Sequence, residues 1–116
     1  MANFQNVTPI RLGQAELTGT IATIYTTPVS TRTYVKQIDI CNTTGGTLTV
    51  NVHIVPNVAN VAGTAGTGNA IYYTFSVAAN SVLQWRGVQI MNAVDTIQAE
   101  ASAVGLTLTA SGGEAV

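Results

Sequence analysis

The chain has 116 residues, 47% of them hydrophobic and only 8% charged, with four Lys or Arg against five Asp or Glu. This composition excludes a disordered chain, which is poor in apolar residues, and offers no cationic footprint for gripping a phosphate backbone. The length suits a single domain, residues 1–116, with one core.

A charged share far below the usual ~25% means that Thr, Asn, Gln and Ser must carry solubility. Charge on strand edges keeps soluble β proteins apart, so a β protein without it is expected to cover its surface with neighbouring subunits. No apolar run approaches the ~20 residues needed to cross a bilayer. The opening residues also lack the basic and apolar regions of a secretory leader.

The dominant pattern is period-two alternation in short segments rich in Thr, Val, Ile and Tyr, separated by Gly, Asn and Pro. Residues 1–14, with Pro9, form an N-terminal arm or a short edge strand in this reading. Residues 20–27 read as a strand ended by Thr27-Pro28. In residues 34–41, Ile38 and Ile40 share a face while Val35 is out of phase, which predicts a bulge at Lys36-Gln37.

Asn42-Thr43-Thr44-Gly45-Gly46 then supplies a hairpin turn, with positive-φ glycines, into residues 47–55. There Leu48, Val50, Val52 and Ile54 face one way and Thr47, Thr49, Asn51 and His53 the other. Residues 56–68 form a long loop of small residues, a length that points to function or mobility.

Residues 70–77 place Ile71, Tyr73, Phe75 and Val77 on one face, and Leu83 and Trp85 follow in residues 82–86, with Trp85 as a central core plug. Residues 88–91 read as a short crossing segment, 96–101 and 104–110 as further strands, and 111–114 as a frayed or terminal edge. Seven to eight strands with frequent turns predict an all-β, two-sheet antiparallel β-sandwich, jelly-roll or immunoglobulin-like, with the topology open.

Catalysis needs titratable groups brought together, and none cluster here. His53 sits on a polar strand face and is expected to be exposed or to lie between subunits. One His and one Cys cannot satisfy the three or four ligands of zinc, and Glu16, Asp39, Asp95 and Glu100 lack calcium-loop spacing. Cys41 is expected to be a small buried hydrophobe, and Asp95 to bond backbone NH groups in a turn. The Gly63 to Gly68 run lacks the Lys and helix of a phosphate loop. No enzyme activity, metal or cofactor is expected, and nucleic acid and membrane are excluded as partners.

Several segments, in order, carry a resemblance: Arg32-Thr33-Tyr34-Val35-Lys36, Ile38-Asp39-Ile40-Cys41-Asn42-Thr43-Thr44, Val55-Pro56, Ala65-Gly66, Asn69-Ala70-Ile71, Ala79-Asn80, Leu83-Gln84-Trp85 and Asp95-Thr96-Ile97. Together they resemble a small virion protein of tailed bacteriophages. The resemblance implies a structural part of the particle, assembled in the host cytoplasm: foremost a capsid decoration (cement) protein that stabilises the shell. The alternative is a neck, tail or tail-tip component, in contact with the host surface in one version.

In the decoration reading the partners are further copies, a trimer being favoured, and the major capsid protein. The contact residues would be Phe4, Val7 and Ile10 of the first segment and Val58, Val61, Thr64 and Thr67 of the long loop. Tyr25, Tyr34 and Tyr72 are the aromatics available to a glycan, each first a packing residue. Val94 stands where the resemblance places a glycine before Asp95.

Overall fold

The computed structural model describes residues 6–116; Phe4 lies outside the described residues. Eight strands follow in chain order: β1 Val7–Glu16, β2 Ala22–Thr26, β3 Arg32–Asn42, β4 Leu48–Val55, β5 Ala70–Val77, β6 Val82–Met91, β7 Thr96–Ala101 and β8 Leu106–Ala115. They form two four-stranded antiparallel sheets, sheet A in the order β1-β8-β3-β6 and sheet B in the order β2-β7-β4-β5. Six of the seven connections pass from one sheet to the other, and only β4 and β5 are consecutive partners. Two interleaved sheets in this order make a jelly roll, which settles the topology the sequence left open.

The core is the set of side chains that alternation turns between the sheets. Ile38 and Ile40 of β3 and Leu106 and Leu108 of β8 meet Val50 and Val52 of β4 and Ile97 of β7, all fully buried. The register of β3 shifts between Val35 and Gln37 against both neighbours, so the expected bulge is there, and it lets Val35 and Ile38 both point inward. Val7–Glu16 is an edge strand on β8, and Pro9 fits an edge because the ladder on its free side needs no donor.

Five expectations about the strands and core are corrected. Residues 42–46 do not close a hairpin, since β3 and β4 belong to different sheets and neither Gly45 nor Gly46 takes a positive φ. The buried Asn42 side chain shapes this crossing instead: Nδ2 donates to the carbonyls of Gly46 (2.8 Å) and Val77 (3.0 Å), and Oδ1 accepts from the Thr44 amide (2.9 Å). Residues 111–114 are not frayed, because β8 runs to Ala115 between β1 and β3. A side chain at Gly112 would collide with the Tyr34 carbonyl, so glycine permits this close approach. Residues 88–91 continue β6 and are no separate segment.

Trp85 is the fourth. It lies half-buried on the edge strand β6 and packs on the core from its rim, where the middle is aliphatic. Cys41 likewise differs from expectation: it is half-buried, because Ile40 and Asn42 take the inward positions on either side.

Two polar clusters fix one end of the sandwich. The buried Asp95 carboxylate accepts from the Asn92 amide through Oδ2 (2.9 Å) and from the Asn57 amide and side chain through Oδ1 (2.9 Å each). Its backbone carbonyl accepts from Thr27, and Thr27 in turn accepts from Val94. The turn role expected of Asp95 is therefore present and reaches across three loops. Val94 adopts φ +71, a conformation that suits glycine, so the turn keeps the geometry for which the resemblance places a glycine there although the residue is Val.

Between the sheets, the Tyr25 hydroxyl donates to Glu114 Oε2 (2.5 Å), and its single proton being spent there, it accepts from Thr33 Oγ1 (2.7 Å). Burial first, and the Glu114 carboxylate second, push the Tyr25 hydroxyl up to about 12.

Two outcomes follow. Asp95→Ala leaves three donors without their acceptor and should lower unfolding free energy in urea by about 3 kcal/mol, a large part of a typical domain's stability. The raised Tyr25 value means that the neutral phenol favours the fold, a contribution complete below the ordinary value of 10 and lost as pH rises through about 12. Melting temperature should therefore fall over that interval, and less steeply in Tyr25→Phe.

Candidate binding surfaces

Two outward surfaces bear on function, one on each sheet. On sheet A, Pro9, Gly113, Tyr34 and Ile90 are successive register partners across all four strands. Alternation keeps them on the outer face, since the flanking Thr33 and Val35 point inward. Gly112 and Gly113 add no side chain, so Val7 and Pro9 on one side and Tyr34 and Lys36 on the other enclose a shallow groove of about 400 Å³.

All four basic residues of the chain, Arg11, Arg32, Lys36 and Arg86, lie on strands of this sheet. Arg11 and Arg86 occupy one cross-strand row through Ser111 and Gln37, Arg32 pairs with Ala115 beside Val7, and Lys36 lines the groove. The acids Asp39 and Glu16 sit farther along the same strands. The outer face of sheet A thus carries an apolar, basic half, where the one acid, Glu114, bonds to Tyr25 between the sheets, and a polar half with Asp39 and Glu16.

On sheet B the loop between β4 and β5 folds back over the outer face. Asn57 anchors its start to Asp95, and Val58 and Val61 then exchange backbone bonds around Ala59 and Asn60, both at positive φ, as a two-residue hairpin. Farther on, Gly63 accepts from Gln98 Nε2 (3.1 Å). His53 is only 3% exposed, a correction to the expected surface imidazole: the loop covers it. Its Nδ1 lies 3.1 Å from the Gly66 carbonyl and 2.9 Å from Asn69 Oδ1. A carbonyl can only accept, so Nδ1 carries the proton.

The Asn69 amide orientation is set independently, Oδ1 accepting from the Gly66 amide and Nδ2 donating to the Thr64 carbonyl. His53 is thus a structural clamp on the loop. Among the described residues, no group of three or more His, Cys, Asp or Glu could hold a metal ion.

Beside the loop lies a second depression, of about 310 Å³, walled by Ile21, Asn51, Thr64, Tyr73 and Glu100 and floored by His53 and Gln98. Tyr73 reaches it through a bulge that the sequence does not announce. Val50 pairs with Phe75 and Val52 with Tyr72, so Asn51 faces both Tyr73 and Thr74. Thr74 takes φ +51, its amide donating to Asn51 Oδ1 (2.6 Å), and Tyr73 is 59% exposed. The expected shared face of Ile71, Tyr73, Phe75 and Val77 is therefore broken at Tyr73. Asn51 also donates from Nδ2 to Glu100 Oε1 (3.0 Å), which fixes that carboxylate at the rim.

The structure places the contact residues suggested by the sequence in three regions. Val7 and Ile10 are exposed on β1, Val58 and Val61 project from the small hairpin at 68% and 65% exposure, and Thr64 and Thr67 are exposed on the loop over sheet B. Val7 and Thr64 line different depressions, so these residues do not form one patch. Tyr25 serves the inter-sheet cluster, Tyr72 packs on Phe75 with ring centroids 5.2 Å apart, and Tyr34 faces the groove on sheet A. Sequence reasoning passed over Tyr73, Asn51 and Glu100 as a group.

No protein-family model matches the chain, and no curated protein matches its sequence. Among solved structures, a protein of Bacillus endospore appendages, described as disulfide-linked pili, superposes with a TM-score of 0.56 at 18% identity, covering 100% of this chain and 94% of that one. A chain of infectious bursal disease virus, Gx strain, matches with a TM-score of 0.49 at 12% identity over 98% of this chain and 32% of its own. The VP2 subviral particle of that virus matches at 0.46 and 12%, with 98% and 33% covered. The present chain thus spans about a third of those viral chains, and what it shares with the appendage protein is the fold.

Replacing His53 by Ala removes the clamp under the loop. Amide hydrogen exchange over residues 63–68 should quicken at least tenfold, with a loss of global stability of about 1–2 kcal/mol.

Proposed function

We propose that this chain is a structural subunit without enzymatic activity of its own, and specifically a decoration protein seated on the capsid shell of a tailed bacteriophage. The observation that carries the reading is the outer face of sheet A, where an apolar row crosses all four strands and every basic residue of the chain gathers on the same sheet. Such a surface is complementary to an acidic protein face with an apolar centre, and the major capsid protein of the shell is the partner assigned to it. A chain this poor in charge elsewhere has no comparable alternative for electrostatic docking. Further copies, a trimer being favoured, meet through the exposed Val58 and Val61 hairpin.

A second reading has its own support. The appendage protein that shares this fold is matched over 94% of its length, and it builds pili from a chain of comparable extent. A fibre, neck or tail component would use the same surfaces in a linear array.

The test mixes purified protein with mature capsids that lack a decoration layer and measures bound copies by sedimentation. The expected result is saturable binding that weakens with added salt, as for partly exposed charge pairs. The double charge reversal Arg11→Glu, Arg86→Glu should abolish it while leaving the melting temperature within a few degrees, since both side chains are exposed. Fibres formed by the protein alone, with no capsid binding, would select the second reading.

A further inference from the structure

The depression on sheet B has features that docking through sheet A does not use. We propose that it is a binding site for a neutral saccharide, with Tyr73 as the platform for the apolar face of a pyranose ring and Glu100 as the acceptor for its hydroxyls.

The argument begins with backbone strain. A β-branched residue at positive φ costs ~1–3 kcal/mol and persists only where its surroundings enforce it. Thr74 is such a residue, held at φ +51 by the bond from its amide to Asn51 Oδ1. The effect of the bulge is to turn Tyr73 out of the alternation and leave it 59% exposed at the rim of a concave surface. An aromatic ring ordinarily gains by burial, so this arrangement sacrifices packing to present a flat ring to solvent.

The chemistry around the ring narrows the ligand. Asn51, which enforces the bulge, also fixes Glu100 through Oε1, so platform and carboxylate are set by one side chain, and among the described residues no hydrogen bond to Oε2 competes with a ligand hydroxyl. Thr64 and Thr67 add hydroxyls that donate and accept, on a loop clamped by His53 and Gln98. No basic residue lies on sheet B, since all four belong to sheet A. A phosphate, sulfate or uronate would therefore face Glu100 without a counter-charge.

A metal ion finds one carboxylate where it needs several donors. A ligand with many hydroxyls, no charge and one apolar face satisfies the groups present. The volume, about 310 Å³, lies at the small end of ligand pockets and suits one or two sugar rings.

The experiment titrates the isotopically labelled full chain with methyl glycosides of glucose, galactose, mannose and N-acetylglucosamine, following amide shifts by NMR. At least one should give saturable shifts at Gly66, Tyr73 and Glu100, with Kd on the order of 1 mM. Tyr73→Ala should weaken binding about tenfold while Tyr73→Phe retains it, Glu100→Gln should weaken it several-fold, and methyl glucuronide should bind more weakly than methyl glucoside. Shifts absent for all four glycosides, affinity unchanged in Tyr73→Ala, or a uronate that binds as well as its neutral parent would each overturn the site. The site belongs to the single chain and lies on the sheet away from the docking face, so its failure is separable from failure of capsid binding.

Discussion

A carboxylate withdrawn from water must find donors within the protein, and Asp95 finds them on two loops at once. Its bond to Asn57 sets the direction in which the chain leaves β4, and that direction carries the following loop over sheet B. Once there, the loop covers His53 and Gln98, which bond to its carbonyls and keep it down. The depression between loop and sheet exists because of this sequence of constraints. At the other end of the sandwich Asn42 acts similarly, with both ends of one amide employed.

The sandwich was legible where strand alternation is undisturbed. β8 alternates buried and half-buried side chains as written from Leu106 to Ala110, and β4 and β7 turn Val50, Val52, Ile97 and Ala99 into the core, while their outward His53 and Gln98 are buried by the loop. The bulge in β3 was visible because an apolar residue, Val35, stood out of step. The equivalent irregularity in β5 was invisible, since Thr74 carries none of the Gly or Asn signature of a positive φ and the aromatics around it fit either phase.

Pairing was the harder matter. Gly45-Gly46 reads as a hairpin, yet nothing local states that the next strand joins the opposite sheet. Ser111-Gly112-Gly113 reads as a loose end, yet the glycines allow β8 to lie close against the Tyr34 carbonyl. The burial of His53 was hidden for a related reason: polar alternation marks it as outward, which it is, and only the loop composed of small residues covers it. The proposed sugar site escaped notice because it depends on the β5 bulge and that covering together.

The two outer faces differ in kind. Sheet A presents apolar and cationic groups in a shallow, open groove, a form suited to a broad protein partner. Sheet B presents a compact polar concavity beside an anchored loop. A thin two-layer fold lets both faces act at once, because the aliphatic core between them is indifferent to what either outer surface holds.

The place of β8 has a consequence for biosynthesis. It follows the other seven strands in chain order, yet β1 and β3 find their shared neighbour only in it. Until β8 emerges, β1 has no hydrogen-bonded partner and β3 lacks one of its two lateral neighbours. A nascent chain still lacking β8 leaves the strands that β8 joins open along one edge, so closure of the sandwich waits for β8 and competes until then with aggregation.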